Sequence, residues 1–567
     1  MKKPLLSEMS LREKIGQCLL PYQWDIYGKV ENGKKHYRND DEIKEIINEN
    51  QFGTMWVDQT NVHKVINLGL DDHTTEKVKA EDYSRFLMKQ DAFAKIPCLR
   101  ALDAESEGAG RIFGDLSLVC PPLAIGAADS EELTYELGRC VARELRCGGA
   151  NWRWAPVGDI SSRFNFGIMR MPAPDYPDRA IKLLVAQIRG MQSEGVAATI
   201  KHFPGGHRFG DGRDSHFCPN VNPLSMDEWW EEQGRIFQSV IDGGVYSVMV
   251  GHAAFPAMDD SLVRNKFPRP ATVSKKIITD LLKGEMGFKG VVITDGIVMA
   301  SLFACYDKYE DLIIDLINAG NDVILGSYLE AGEIIEKAVA DGRIAESRID
   351  DACQRVLDMK EKLGMFNDDY WKLPYKASDI VAETAKVNGK IARRAITLVR
   401  DLNSLLPMDK SKIKNVTIVC SAHVDFFFEN LKHMKKAFED RGATVRLQRR
   451  IQNSAEMQEI DQTSDLIIYA VFVGPHKPKG HMGLYGDEVA TYLHALTAGR
   501  EKSIGLSMGY PYIHHDILGN ADTFINAYGS SPELMDAFVE AVYGEIEITG
   551  KSPVKLKPGR LIFTYED

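Results

Sequence analysis

Nine cysteines are scattered through this sequence and no two of them make a CxxC pair, so it holds neither a zinc ribbon nor a thioredoxin-type redox motif. Their number is odd and most stand in apolar or helical surroundings, the pattern of reduced core thiols in a cytoplasmic protein and not of a disulfide framework. No apolar run is long enough to span a bilayer. The opening stretch, MKKPLLSEMSLREKIGQCLL, turns at once to charged amphipathic helix and has neither the apolar core nor the cleavage site of a secretory signal. Concentrated positive charge is also missing. The formal net charge is −12 and the basic residues are dispersed, which argues against nucleic acid and membrane as partners. The histidines have no metal-ligand spacing, so no metal or other cofactor is implied.

What is there is length and rhythm. A chain of 567 residues is too long for one hydrophobic core, and two domains are expected. Ser10 to Leu20 reads as an amphipathic helix with Leu11, Ile15 and Leu19 on one face. After a polar stretch, helices and apolar strands alternate: FGTMWV, then IPCLRALD, ANWRWAPV, VAATI, VYSVMV, GVVIT and DVILG, each preceded by a helical segment of its own, DEIKEIINEN in the case of the first. That alternation, with about seven strands before residue 330, predicts an α/β fold: a (β/α)8-type barrel over 1–365. A crossing segment, 366–384, leads to a smaller α/β sandwich domain over 385–567, with GKIARRAITLVRD as helix and NVTIVC, DLIIYAVF, SIGLSMG and TFINAYG as strands.

The ionisable residues fall where such a barrel would use them. Asp103, Asp159, Lys201, His202, His252 and Asp295 all follow the carboxyl end of an apolar run, and in a barrel those ends converge on one face. Each alone is ordinary solvation of a strand end; the regular series is not. Asp295, between GVVIT and a glycine, is held by backbone on both sides and suits a nucleophile, although an aspartate there also reads as a helix N-cap. The stretch KHFPGGHRFGDGRDSHFCP from Lys201 is too glycine-rich for helix and reads as a reactive loop, or more plainly as a polar one. In it Asp214 and His216 lie two apart, on one side of an extended segment, so that the carboxylate can polarise the imidazole and make it a proton donor near neutral pH. Nucleophilic carboxylate and acid/base dyad together fit retaining cleavage of a glycosidic bond.

The stretches SLREKIGQ, IPCLRALDAE, GRCVARELRCGGANWRWAPVGDI, KHFPG with DSH, VMVGHAAFPAMD, PATVSKKIITDLLKGEMGFKGVVITDGIVM and EAVYGEIEITGKSPV, taken together, resemble glycoside hydrolase family 3 and more narrowly its β-N-acetylhexosaminidase branch. The resemblance implies Asp295 as nucleophile, Asp214 and His216 as the acid/base dyad, and Asp103, Arg111, Lys201 and His202 as contacts to the terminal sugar. Arg170 is the best match for a further sugar-binding arginine, with Arg163 as competitor; the aromatic expected after it is replaced by Met171 and Pro172. His252 is expected as pocket wall or as a structural residue. The implied activity is exo-acting release of terminal β-linked N-acetylglucosamine from a small carbohydrate, without metal or other cofactor.

Two features depart from the family pattern. The loop from Lys201 to the DSH stretch is about two residues longer than usual and adds Arg208 and Arg213, and Gly296 and Ile297 follow the nucleophile where an acidic or small residue and leucine are common. Three other readings stay open: a phosphorylase on the same site, a β-glucosidase, and a carbohydrate-binding scaffold that has kept the barrel. Aglycone, linkage and oligomeric state are not legible.

Overall fold

The computed structural model describes residues 2–57, 78–106, 108–161, 165–206, 216–422, 425–473, 499–516 and 521–556. The chain divides into two compact units. One comprises Met1–Leu118, Tyr135–Ile160 and Leu184–Thr384, the other Val119–Thr134, Ser161–Leu183 and Ala385–Asp567.

The first unit is built on eight strands, β1 (Leu19–Pro21), β2 (Thr54–Trp56), β3 (Leu99–Leu102), β4 (Trp152–Arg153), β5 (Ala197–Phe203), β6 (Ser247–Val250), β7 (Val291–Thr294) and β8 (Ile324–Ser327). Strands β2 to β7 pair in chain order as one parallel sheet, and β1 pairs in parallel with β8. An Ile293–Val323 bridge carries the ring from β7 to β8. On the other side the Gly53 N–H donates to Gly16 O at 2.8 Å, tying the approach to β2 to the approach to β1. The result is a (β/α)8-type barrel.

Strands β3 and β5 to β8 are buried at every position, as parallel strands with side chains on one face and helices on the other must be. Alternate residues point inward. Leu99 and Ala101, Val291 and Ile293, Val323 and Leu325 meet Trp152, Trp154 and Met249 in a single core cluster, which Val356 and Met359 from the helix Glu346–Lys362 and its C-cap Leu363 extend.

Two expectations for this unit need correction. The helix expected over Ser10–Leu20 stops at Gln17, and Leu19–Pro21 is β1. The helix uses Ser10 as N-cap, its hydroxyl accepting from the Glu13 N–H, while the apolar run that follows is drawn into pairing with β8. Inside the polar stretch, Gly28–Glu31 and Lys34–Tyr37 form a hairpin, turned by Asn32 and Gly33 at φ 51° and 73°.

The second unit carries a six-stranded sheet of β9 (Thr397–Asp401), β10 (Asn415–Ala422), β11 (Thr444–Gln448), β12 (Leu466–Phe472), β13 (Ser503–Ser507) and β14 (Thr523–Asn526). The order is β9-β14-β13-β12-β10-β11, parallel except for β9 against β14. This is the expected α/β sandwich, with two strands more than the sequence reading supplied. The helix expected to run through GKIARRAITLVRD ends at Ala395, and the β-branched Thr397 and Val399 begin an edge strand.

Candidate active site

All eight barrel strands run the same way, so their carboxyl ends open on one face. At the end of β7 stands Asp295. Its N–H donates to Val250 O on β6 at 2.9 Å, and the next residue, Gly296, donates its N–H to Asp295 Oδ1 at 2.8 Å. The other carboxylate oxygen, Oδ2, faces His202 Nε2 at 3.8 Å, beyond hydrogen-bonding distance. Burial by itself raises the pKa of this carboxyl. Electrostatic interactions with His202, His252 and Lys201, with the Gly296 N–H, outweigh it and bring the pKa down to about 2.

Lys201 and His202 come from the last turn of β5, where the register against β6 shifts between Ile200 and Phe203. In a regular strand neighbouring side chains point to opposite faces; at this irregularity both serve the same end of the barrel. Lys201 is almost wholly buried and ion-paired to Asp103 at 2.9 Å and to Glu105. His202 Nδ1 lies 3.2 Å from Asp159 Oδ1, and the same oxygen accepts the His202 N–H at 3.0 Å. A carboxylate accepts only, so Nδ1 is the protonated nitrogen and Nε2 is the one turned to Asp295. Asp103 and Glu105 sit on the loop leaving β3, which Arg153 at the end of β4 holds down, donating to Ala104 O at 2.7 Å and Glu105 O at 3.0 Å. Complete burial lowers the Arg153 pKa to about 10 against the opposing pull of Glu105 and Asp103.

His252, after β6, completes the half-ring. Burial lowers its pKa, more than the Asp295 charge raises it, and the charges of His202 and His216 lower it further. His216 is half-buried at the near end of its loop; Asp214 lies outside the described residues. Gly205 and Gly206, where the chain leaves β5, have φ of 86° and 149°, the backbone freedom the glycine-rich loop was expected to need.

The remaining candidates are less central. Arg111 ends a short turn, Ala109–Arg111, and is exposed on the same loop as Asp103. Arg170 caps the turn Phe166–Met169 and belongs to the second compact unit, while Arg163 lies outside the described residues. Among the described residues no group of three His, Cys, Asp or Glu is arranged to hold a metal.

Sequence reasoning missed Glu105, the anchoring Arg153 and an aromatic wall. Tyr22, just after β1, brings its hydroxyl to within 3.9 Å of where a Cβ on Gly296 would lie, and its pKa is raised by burial, by Tyr328 and by the Asp295 charge. Its ring is 5.4 Å from that of Trp56 at the end of β2, and Trp56 is 5.2 Å from Trp154 beyond β4. Gly326 at φ 83° makes room for it, since a Cβ there would lie 2.7 Å from the Tyr22 ring. An aromatic placed like an acid, immediately after an apolar run, was the available signal.

Residues 10–359 match the sequence profile of the glycosyl hydrolase family 3 N-terminal domain. The chain belongs to glycosyl hydrolase family 3. It is therefore a glycosidase, and its substrate is a carbohydrate. Among curated relatives it is 26% identical over 497 residues, 81% of this chain and 84% of the other, to a beta-N-acetylglucosaminidase/beta-glucosidase of Cellulomonas fimi. A beta-hexosaminidase of Stenotrophomonas maltophilia is 34% identical over 188 residues, 32% of this chain and 53% of that protein. Among solved structures, the beta-glucoside phosphorylase BglX matches with a TM-score of 0.78 at 25% identity, covering 98% of this chain and 95% of its own. A family 3 beta-N-acetylglucosaminidase from Paenibacillus shares the fold, with a TM-score of 0.78 at 24% identity over 98% of this chain and 100% of its own.

Proposed function

We propose that this family 3 glycosidase is a retaining, exo-acting β-N-acetylhexosaminidase that releases terminal β-linked N-acetylglucosamine through a glycosyl ester on Asp295. The observation that carries the reading is the state of that carboxylate: ionised at any working pH, held by one backbone donor, and facing ring nitrogen instead of a saturating hydrogen bond. An ionised carboxylate is the form that attacks an anomeric carbon, and a low pKa also makes it a good leaving group when the ester is hydrolysed.

In this mechanism His216, backed by Asp214, protonates the departing oxygen and then takes a proton from the incoming water. Lys201, His202, Asp103 and Arg111 orient the terminal sugar through charged hydrogen bonds to its hydroxyls. Asp159 keeps His202 in the tautomer that turns Nε2 to the sugar side. The Tyr22 and Trp56 rings offer an apolar face to the other side of the pocket. The catalytic role stays with residues 1–365, the segment 366–384 acting as linker and 385–567 as sandwich domain. Nine free cysteines support a reducing, cytoplasmic setting.

Two further readings are favoured by particular relatives. A relative of double name, beta-N-acetylglucosaminidase/beta-glucosidase, supports some acceptance of glucosides. The likeness to a beta-glucoside phosphorylase supports phosphate as an alternative acceptor. One experiment separates all three: turnover of 4-nitrophenyl N-acetyl-β-glucosaminide and 4-nitrophenyl β-glucoside, each with and without phosphate. The proposed function requires faster release from the N-acetylglucosaminide, no stimulation by phosphate and free N-acetylglucosamine as product. Accumulation of a sugar 1-phosphate, or preference for the glucoside, would replace it.

A further inference from the structure

His252 was expected as pocket wall or as a structural residue, and both its ring nitrogens are engaged. Nδ1 lies 2.8 Å from Thr272 Oγ1, and Nε2 lies 3.0 Å from the carbonyl oxygen of Gly296. A carbonyl accepts only, so Nε2 carries the proton, and in the neutral ring Nδ1 accepts from the Thr272 hydroxyl. Thr272 is itself fixed: it is fully buried in the turn Ala271–Val273, and its own carbonyl accepts from Asn321 Nδ2 at 2.8 Å. The imidazole is thus a rigid link between a packed turn and the residue after Asp295.

Gly296 is where that link matters. Its N–H is the backbone donor to Asp295 Oδ1, and its carbonyl is the group His252 holds, together with the Met299 N–H at 3.0 Å. A glycine has no side chain to restrict its own dihedrals, so the orientation of the N–H at the carboxylate depends on what grips the rest of the residue. The flanking amides are already tied down, Asp295 N–H to β6 and Ile297 N–H to Leu325 O at 3.1 Å. Between those anchors, the imidazole is the side chain that reaches the Gly296 carbonyl.

We propose that His252 is a positioning residue for the nucleophile: by gripping the Gly296 carbonyl it aims the Gly296 N–H at Asp295 Oδ1 and leaves Oδ2 turned toward the sugar. This rests on the reading of Asp295 as nucleophile. His252 moves no proton in the reaction and acts only through Gly296.

The test is steady-state kinetics on whichever aryl glycoside the wild type turns over, with His252→Ala, His252→Gln, Thr272→Val and Asp295→Asn, each checked for folding by circular dichroism. His252→Ala should lower kcat and kcat/KM together by about 10- to 100-fold, the range seen when a supporting hydrogen-bond partner is removed, with KM within about threefold. His252→Gln should recover most of the loss, because its amide can donate to Gly296 and accept from Thr272. Thr272→Val should lower kcat in the same sense but less. A merely structural histidine predicts a lower melting temperature with kcat per folded molecule intact and no advantage for glutamine. Intact kcat in His252→Ala, or a raised KM alone, or glutamine no better than alanine, overturns the proposal. If the alanine variant does not fold, an inactive His252→Gln with an unimpaired Thr272→Val overturns it instead. Asp295→Asn separates the two levels: if that variant keeps wild-type turnover the nucleophile assignment falls and takes this inference with it, whereas an inactive Asp295→Asn beside a fully active His252→Ala defeats this inference alone.

Discussion

The two ends of the barrel both gather charge, and they treat it in opposite ways. At the amino-terminal end, Asp322 is fully buried and saturated: Lys283 Nζ donates at 2.7 Å, the Val292 N–H at 2.9 Å, and Arg348 from the closing helix. Asp351 extends the cluster, and although burial raises its pKa, Lys283, Arg348 and Arg355 hold it below the usual carboxylate range. At the carboxyl end, Asp295 is held by a single glycine N–H with its second oxygen 3.8 Å from an imidazole. Both carboxylates lie among basic side chains. One is used up by them; the other is kept ionised by them and left available. A barrel can sustain that division because strand packing fixes both ends regardless of what the ends do.

This contrast can be broken at either end. Asp295→Asn should cost turnover about 1,000-fold or more, some 4 kcal/mol of transition-state stabilisation, while the protein still unfolds cooperatively; kcat on an aryl glycoside with a parallel thermal melt checks both halves. Asp322→Ala should do the reverse. It leaves Lys283 and Arg348 buried without their partner and should cost about 3–5 kcal/mol of stability, read from denaturant unfolding, with kcat per folded molecule unchanged. A smaller effect is expected at Asp103: Asp103→Asn removes the carboxylate opposite Lys201 and should raise KM about 10-fold with a lesser change in kcat.

Acidification sharpens the contrast further. His252 has a depressed pKa in the folded protein, so below its ordinary value of 6.5 the unfolded chain takes up a proton that the native one refuses, and stability falls as the pH falls toward the native value. His252→Gln should flatten that part of the stability curve, measured by unfolding between pH 7 and 5. Asp295 behaves as the usual carboxylate case: its contribution is complete above 3.8 and is lost as the pH falls to about 2, so a loss of activity between pH 7 and 5 would have to arise from another group.

The series of ionisable residues after apolar runs was legible because a barrel strand and its terminal residue are one local unit: IPCLRALD yields β3 and Asp103, and GVVIT yields β7 and Asp295, whatever surrounds them. What stayed hidden depended on partners distant in sequence. Leu19–Pro21 is a strand only because Ile324–Ser327 is there to pair with it, and period alone assigns it to the preceding helix. Period likewise merges Thr397–Asp401 with the helix before it, although its β-branched residues announce the change. The Asn32–Gly33 turn is a readable hairpin signal, masked by its polar neighbours. In the site, Asp159 and His252 were visible as strand-end residues but their duties were not, since an aspartate that fixes a tautomer and a histidine that grips a carbonyl look the same in sequence as any others.

The most direct test of the open carboxylate is to trap the intermediate proposed to form on it. Incubation with a fluorinated aryl glycoside whose glycosyl-enzyme turns over slowly, followed by proteolysis and mass spectrometry, should find one sugar bound through an ester on the peptide that contains Asp295. A label on a different carboxylate, or steady turnover with no covalent species at all, would contradict the account.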